Sequence, residues 1–212
     1  FYYRDHRNLL IWSCYREPLQ QLYSEYLTCM HLIPDNVPIS KRGFDLVIST
    51  LGLIILSPIL LIITILIIIF DGFPVLFLQQ RPGLKAKPFT IYKFRTMADE
   101  SGPDGKPLDE MQRITWLGRI LRVTSLDEIL ELYNVFRGEM SVVGPRPLLM
   151  QYLSRYSAEQ ARRHEVLPGI TGWAQVNGRN AITWEEKFTL DVWYVDNWSF
   201  WLDIKILGQT IW

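Results

Sequence analysis

The chain has 212 residues, enough for one domain with an appendage. Hydrophobic residues make up 49% and charged residues 21%, so a core can form and disorder is not the expected state. The 22 Lys and Arg balance the 22 Asp and Glu, which removes a global basic field for nucleic acid and sends the search for function to local sites. The two cysteines, Cys14 and Cys29, form no C-x-x-C pair, and His6, His31 and His164 have no metal-ligand spacing. The chain opens on Phe1, which points to a start that lies upstream or was processed.

Residues 1–39 are rich in aromatics: Tyr2, Tyr3, Trp12, Tyr15, Tyr23 and Tyr26. Arg16 to Met30 is expected as a helix, with Pro18 in its first turn and Leu19, Leu22, Tyr23 and Tyr26 on one stripe. Pro34 and Pro38 then mark a linker. The region reads as an N-terminal extension of undefined role; an element through which copies form a homo-oligomer is one option.

From Leu46 to Phe70 run 25 residues without a charge, between Asp45 and Asp71. A straight helix of that length reaches about 37 Å, against a hydrocarbon core about 30 Å thick. Residues 40–72 are therefore expected as a membrane segment. Ser57-Pro58 lies at its middle. Pro58 has no N–H and crowds the carbonyl of Ile54, and Ser57 can bond a nearby carbonyl and help a bend. Two geometries follow: a kinked spanning helix, or a re-entrant helix-break-helix that enters and leaves by one face. Lys41 and Arg42 precede the run, and Arg81, Lys85, Lys87, Lys93 and Arg95 follow it. Positive charge on both flanks favours the re-entrant form.

Residues 73–212 are expected to carry the chemistry. Pro74–Gln80 and Phe89–Arg95 read as strands, and Ala98–Pro107 as loop. Met111–Leu121 and Leu126–Arg137 read as helices, the second stopping at Gly138, and Ser154–Val166 as a polar helix ended by Pro168-Gly169. Asn177-Gly178 is a hairpin signal. Ile182–Trp198 and Phe200–Trp212 hold so many aromatics that they suit amphipathic helices lying at a membrane surface, with ordinary packing as the alternative. The fold class is α/β, mostly helical.

Ser125-Leu126-Asp127-Glu128 admits two readings. Ser125 and Glu128 match a capping box, and Asp127 suits the first turn of a helix. A helix start is also a phosphate site, and Arg119 and Arg122 lie just before it. In that setting Asp127 can attack phosphorus, and Glu128 can hold a divalent cation through a hard oxygen. In Gly144-Pro145-Arg146-Pro147, proline on both sides stiffens Arg146, which suits bidentate phosphate binding. Arg179 is a further candidate phosphate contact. Lys93 and Arg95 sit on a strand behind the membrane run and could instead snorkel to headgroups.

Several strings occur together and in order: Lys41-Arg42-Gly43-Phe44-Asp45, Ser57-Pro58, Gln80-Arg81-Pro82-Gly83, Tyr92-Lys93-Phe94-Arg95-Thr96-Met97, Ser125-Leu126-Asp127-Glu128, Met140 to Pro147, Pro168 to Gly172 and Gln175 to Asn180. The ordered set resembles the bacterial sugar transferase family, the monotopic polyprenyl-phosphate phosphoglycosyl transferases, most of all their small single-domain members. Residues 1–39 depart from that pattern. The resemblance implies transfer of a sugar-1-phosphate from a UDP-sugar to undecaprenyl phosphate, with release of UMP, at the cytoplasmic face of the bacterial inner membrane among its lipids. It implies a ping-pong route through a sugar-phosphoryl adduct on Asp127. It ties Glu128 to Mg²⁺, lines the phosphate path with Lys93, Arg122, Arg146 and Arg179, and places Asp191 at an acidic position near the site. A catalytically silent scaffold and a nucleotide-sugar hydrolase are the rival readings.

Overall fold

The computed structural model describes Pro34, residues 37–98, Asp109, residues 113–178 and residues 182–211. The helix expected over Arg16–Met30, both cysteines and Arg179 lie outside the described residues.

Helix α1, Ile39–Phe70, is long and apolar enough to cross a membrane, and only 11% of its most apolar 18-residue window is buried. A core helix of a soluble protein would be mostly buried, so this exposed apolar surface marks the protein as membrane-associated. The helix runs through Ser57-Pro58 without the expected break into two helices. The reason is local. Ser57 Oγ donates to the Ile54 carbonyl at 2.8 Å, the acceptor that Pro58 cannot serve.

Burial divides α1 into three. Lys41, Arg42, Asp45 and Ser49 are buried at one end, Ile63 and Ile67 near the other, and none between. The first end is fixed by polar contacts. Lys41 Nζ donates to the Val143 carbonyl at 2.9 Å and pairs with Asp203 at 2.6 Å, and Arg42 donates to the carbonyls of Val135 and Phe136 at 2.6 and 2.7 Å. Asp45 accepts from Ser141 Oγ and Val142 N, both at 3.0 Å. The second end is fixed by apolar packing: Ile63 and Ile67 join Phe94, Leu117 and Leu121 in a core cluster.

Strands β1, Leu76–Pro82, and β2, Pro88–Phe94, pair antiparallel with Phe77 opposite Lys93. The turn between them places Lys85 and Ala86 at φ of 53° and 57°. The helix expected over Met111–Leu121 is interrupted where Ile114 bridges to Met97; helix α2, Trp116–Val123, follows with Thr115 as its N-cap, accepting from Gly118 N at 2.9 Å. The expected helix over Leu126–Arg137 divides into a 3₁₀ turn, Leu126–Glu128, and helix α3, Glu131–Arg137. Gly138 ends α3 at φ 83°, as expected.

Strand β3, Ser141–Val143, pairs in parallel with β4, Gly169–Thr171, with Val143 opposite Thr171. Between them the expected polar helix is instead a series of short turns: 3₁₀ at Met150–Arg155, helix α4 at Ala158–Ala161, and 3₁₀ at Arg162–His164. Helix α5, Trp173–Gly178, follows β4 directly, so Asn177-Gly178 belongs to a helix and not to a hairpin.

Helices α6, Trp184–Asn197, and α7, Phe200–Ile211, complete the body. Tyr194 and Ile206 enter the main core with Phe89, Ile91, Val135, Met140, Val142 and Val143. Each such side chain contributes about 1.5–3 kcal/mol of burial. Both helices thus use one face for ordinary packing while Trp184, Trp193 and Trp201 stay exposed. Among the described residues the fold is mostly helical with two small two-stranded sheets.

Candidate active site

A cavity of about 950 Å³ opens between the β1–β2 hairpin, the Leu126–Glu128 turn and the loop after β3. Its described lining holds eight cationic side chains (Arg81, Lys93, Arg95, Arg113, Arg122, Arg146, Arg163 and Lys187) against three carboxylates, Asp127, Glu128 and Asp191. In a chain of zero net charge that local excess is an anion-binding field. The described residues expected at the catalytic centre, along the phosphate path and at the acidic position lie here: Lys93, Arg122, Asp127, Glu128, Arg146 and Asp191; Ser57 and Pro58 lie apart, within α1.

The Leu126–Glu128 turn is set by Ser125, which takes φ 56° and makes no side-chain cap. The capping box expected from Ser125 and Glu128 is therefore not formed. Among the described residues, Ser157 with Gln160 and Thr183 with Glu186 form such boxes. Glu128 turns its carboxylate to the cavity, where Oε1 meets Lys93 Nζ at 2.7 Å and also pairs with Arg146. Lys93 reaches Glu131 Oε1 as well, at 3.0 Å.

Asn134 holds this arrangement in register. Its Nδ2 donates to the Thr90 carbonyl at 2.7 Å and its Oδ1 accepts from Tyr92 N at 3.2 Å. The strand bearing Lys93 is thereby fixed to the helix bearing Glu131. Arg95, just past the end of that strand, donates instead to the carbonyls of Asp71, Gly72 and Phe73 at the end of α1. Its guanidinium closes the C-terminal end of that helix. Arg122 Nε donates to Thr96 Oγ1 at 2.9 Å.

On the far side of Arg146, Arg163 Nη2 donates to the Arg146 carbonyl at 2.7 Å and lies 2.7 Å from Asp191 Oδ2. The Arg163 and Asp191 side chains are each 2% exposed. Arg81 donates to the Pro147 carbonyl at 3.3 Å. The loop carrying Arg146 is therefore held by two further arginines.

The adjacent carboxylates are pushed in opposite directions. Burial, and then the charge of Glu128, raise Asp127 above the ordinary carboxylate range, against the pull of Lys93 and Arg122. Burial also acts on Glu128, but Arg146 and Lys93 outweigh it and hold the group below its ordinary value. Such a split assigns different roles to neighbouring acids. Asp191 is pushed up to about 6 by burial, opposed by Arg163 and Lys187.

The donor set fits Mg²⁺. The described residues hold no group of three or more His, Cys, Asp or Glu arranged to cage a metal. Mg²⁺ commonly takes one or two carboxylates and completes its shell with substrate phosphate and water. Asp127 and Glu128 provide two adjacent hard carboxylates at the cavity. Both cations bind the same Glu128 oxygen, so Oε2 lies outside those pairs.

Sequence reasoning missed Glu131, Arg163 and Arg81 as parts of the site. Arg81 stands in the Gln80-Arg81-Pro82-Gly83 string, which was a usable signal. Glu131 and Arg163 looked like ordinary polar helix residues, and only the fold brings them to Lys93 and Arg146.

The bacterial sugar transferase family profile matches residues 37–212. The chain is 57% identical over 173 residues to EpsL of Bacillus subtilis, named an uncharacterized sugar transferase, covering 82% of this chain and 86% of that one. It is 38% identical over 220 residues to the undecaprenyl-phosphate glucose phosphotransferase of Komagataeibacter xylinus, covering 96% of this chain and 41% of that one. To the undecaprenyl-phosphate galactose phosphotransferase of Salmonella typhimurium it is 39% identical over 187 residues, covering 80% of this chain and 39% of that one. It spans most of EpsL and about two-fifths of the two longer relatives. With a profile match across residues 37–212 and this degree of likeness, the chain belongs to the bacterial sugar transferase family.

Proposed function

We propose that the protein transfers a sugar-1-phosphate from a UDP-sugar to undecaprenyl phosphate in the bacterial inner membrane, releasing UMP. The observation that carries this reading is the cationic cavity with Asp127 and Glu128 at its wall, built against the end of a membrane helix. The names of the longer relatives fit the same acceptor and the same class of reaction.

The residues suggest a double displacement. An Asp127 carboxylate oxygen attacks the phosphorus that bears the sugar, and the bond to UMP breaks with its electron pair leaving on UMP. Arg146 and Lys93 stabilise charge on the phosphate oxygens. UMP departs, and an oxygen of the lipid phosphate attacks the same phosphorus, breaking its bond to Asp127. Splitting the reaction keeps two anionic substrates from sharing one cation cluster at once. Bound Mg²⁺, held through Glu128, would supply charge neutralisation at the diphosphate.

The same reading makes α1 re-entrant, bent at Ser57-Pro58 and returning to the face it entered. Its support is the docking of both ends. Lys41–Asp45 and Ile63–Ile67 pack on one folded body, and a folded polar body does not divide across a bilayer. Cations on both flanks support a cytoplasmic position for that body, where it would meet soluble UDP-sugar.

The test is a product assay with purified protein. UDP-sugar without lipid should release about one UMP per enzyme in a burst, as covalent catalysis requires, and the protein should gain the mass of a sugar-phosphate at Asp127. UMP that forms only once lipid is added, with no trappable adduct, would overturn the double displacement. Continuous release of free sugar phosphate without lipid would identify a hydrolase.

A further inference from the structure

The loop Gly144-Pro145-Arg146-Pro147 has few donors with which to dock, because Pro145 and Pro147 carry no N–H. Gly144 N donates to the Thr171 carbonyl at 2.8 Å. Beyond that point the loop is held through its carbonyls. Pro145 accepts from Gly169 N at 3.0 Å, Arg146 from Arg163 Nη2 at 2.7 Å, and Pro147 from Arg81 Nη1 at 3.3 Å. The contact from Arg163 falls on the residue whose side chain pairs with Glu128. A peptide unit is planar, so a fixed Arg146 carbonyl sets the backbone from which the Arg146 side chain leaves.

Arg163 is itself gripped from several directions. It stands on the 3₁₀ turn Arg162–His164, in the crossover between β3 and β4. The Nη2 that serves the Arg146 carbonyl also lies 2.7 Å from Asp191 Oδ2. Its guanidinium carbon is 5.5 Å from the centre of the Phe188 ring and 6.0 Å from that of Tyr156, and Nη1 donates to the Tyr156 hydroxyl at 3.4 Å. Phe188 and Asp191 are three residues apart on α6, so they share a face and hold one cation together.

Exposure separates the two arginines. Both border the cavity, but the Arg163 side chain is 2% exposed and that of Arg146 is 41% exposed. Arg146 is open to a ligand phosphate. Arg163 is enclosed, with its charge matched by Asp191. A buried ion pair is a weak source of stability, because desolvation offsets the attraction. What this pair supplies is a rigid link from α6 to the phosphate centre.

We propose that Arg163 is a positioning residue for the transfer: tied to α6 through Asp191, it fixes the Arg146 carbonyl and thereby aims the Arg146 guanidinium at the phosphate that bears the sugar. This rests on the transferase reading given above. In this assignment Arg163 touches no substrate and acts through Arg146.

The experiment uses two variants of the whole chain, with undecaprenyl phosphate as acceptor and the better of UDP-glucose and UDP-galactose as donor. Arg163→Lys keeps a cation for Asp191 but loses the planar fork and the stacking surface of the guanidinium. The paired change Arg163→Met with Asp191→Leu removes both charges and fills their space with apolar groups, which buried ion pairs commonly tolerate without loss of stability. In both, the melting temperature should stay near that of the wild type while kcat/KM falls roughly 10–100-fold, the scale for a reacting group misplaced by about 1 Å. The loss should depend on Arg146. In an Arg146→Lys background, Arg163→Lys should lower kcat/KM further by less than about twofold, a dependence that a role in stability alone does not produce. Unchanged kcat/KM in a folded variant of either kind would overturn the proposal. So would a full loss repeated in the Arg146→Lys background, which would show Arg163 acting on its own. If Arg163→Lys does not fold, the paired variant decides by its own kcat/KM. Wild-type enzyme that turns over no nucleotide-sugar would remove the transferase reading itself, and this inference with it; an active wild type with equally active variants removes the inference alone.

Discussion

Two clusters of charge lie in this protein, and they are built by opposite rules. At the start of α1, Lys41 is spent on the Val143 carbonyl, the Tyr194 hydroxyl and Asp203. Asp203 accepts in addition from Tyr194 Oη and from Trp198 Nε1, at 2.7 and 3.1 Å. Lys41 and Asp203 are 6% and 2% exposed, and no cavity reaches either among those described. At Glu128 the pairing is looser: Arg146 is 41% exposed and Glu128 21%, and a large cavity borders both. Asp127 lies next to them, pushed above its ordinary range. Buried charge that is fully partnered anchors a helix. Charge that borders solvent, with cations in excess, is suited to binding an anion.

The contrast is broken first at Asp127. Asp127→Asn should lower turnover on the order of 10⁴-fold or more while leaving the melting temperature near wild type, as expected for loss of a nucleophile. A folded variant with near-normal activity would end the nucleophile assignment. Glu128→Gln should cost roughly 10²–10³-fold in kcat. EDTA should also abolish wild-type activity, and activity that survives EDTA would exclude Mg²⁺ from the reaction.

The anchor should behave in reverse. Lys41→Met leaves Asp203 buried without its cation and should cost about 3–5 kcal/mol of stability, read as a fall in the denaturation midpoint, while protein that remains folded keeps its kcat. A large loss of kcat at unchanged stability would erase the distinction between the two clusters.

Topology sharpens the comparison, because in the proposed re-entrant form the anchor is what returns α1 to its own side. In a chain with Cys14 and Cys29 replaced, single cysteines at Ile39 and Lys85, both exposed, should label from one face of sealed vesicles. Labelling from opposite faces would show a spanning helix. Pro58→Leu restores a backbone donor and should raise the fraction of molecules that span.

The smallest effect is on pH. Asp127 must be ionised to attack, so the rate falls as pH drops through its pKa. Because burial and Glu128 raise that pKa above 3.8, the acid limb of the UMP burst should sit above the ordinary aspartate value. A limb at or below 3.8 would mean that the bound state screens Asp127 more fully than the cavity does.

Some of this was legible in the residues. The uncharged run from Leu46 to Phe70 was legible as a membrane segment, because length and hydropathy are additive along a chain. Pro58 and Ser57 announced their effect on Ile54, since a missing N–H acts within one turn. Gly138 stopped α3 as expected because φ of 83° suits a residue without Cβ. The Ser125–Glu128 string was a sound pointer to the site but a poor one to the local structure. Its match to a capping box failed because the Glu128 carboxylate found Lys93 and Arg146, from two other segments, and charged partners outbid a backbone N–H.

Chemistry that depends on one segment was therefore open to the sequence: the membrane helix, its proline, the adjacent carboxylates, the proline-flanked arginine. Chemistry that depends on which segments meet was decided by tertiary structure. Lys93 lies on β2 and Arg95 just past its end, yet one faces Glu128 and Glu131 and the other closes the end of α1. Arg163 gained its meaning from the parallel pairing of β3 and β4, which no periodicity in either strand specifies. Periodicity reports which face of an element is buried, whereas a site is made of side chains from elements far apart in the chain, and their meeting is set by the packing of the whole core.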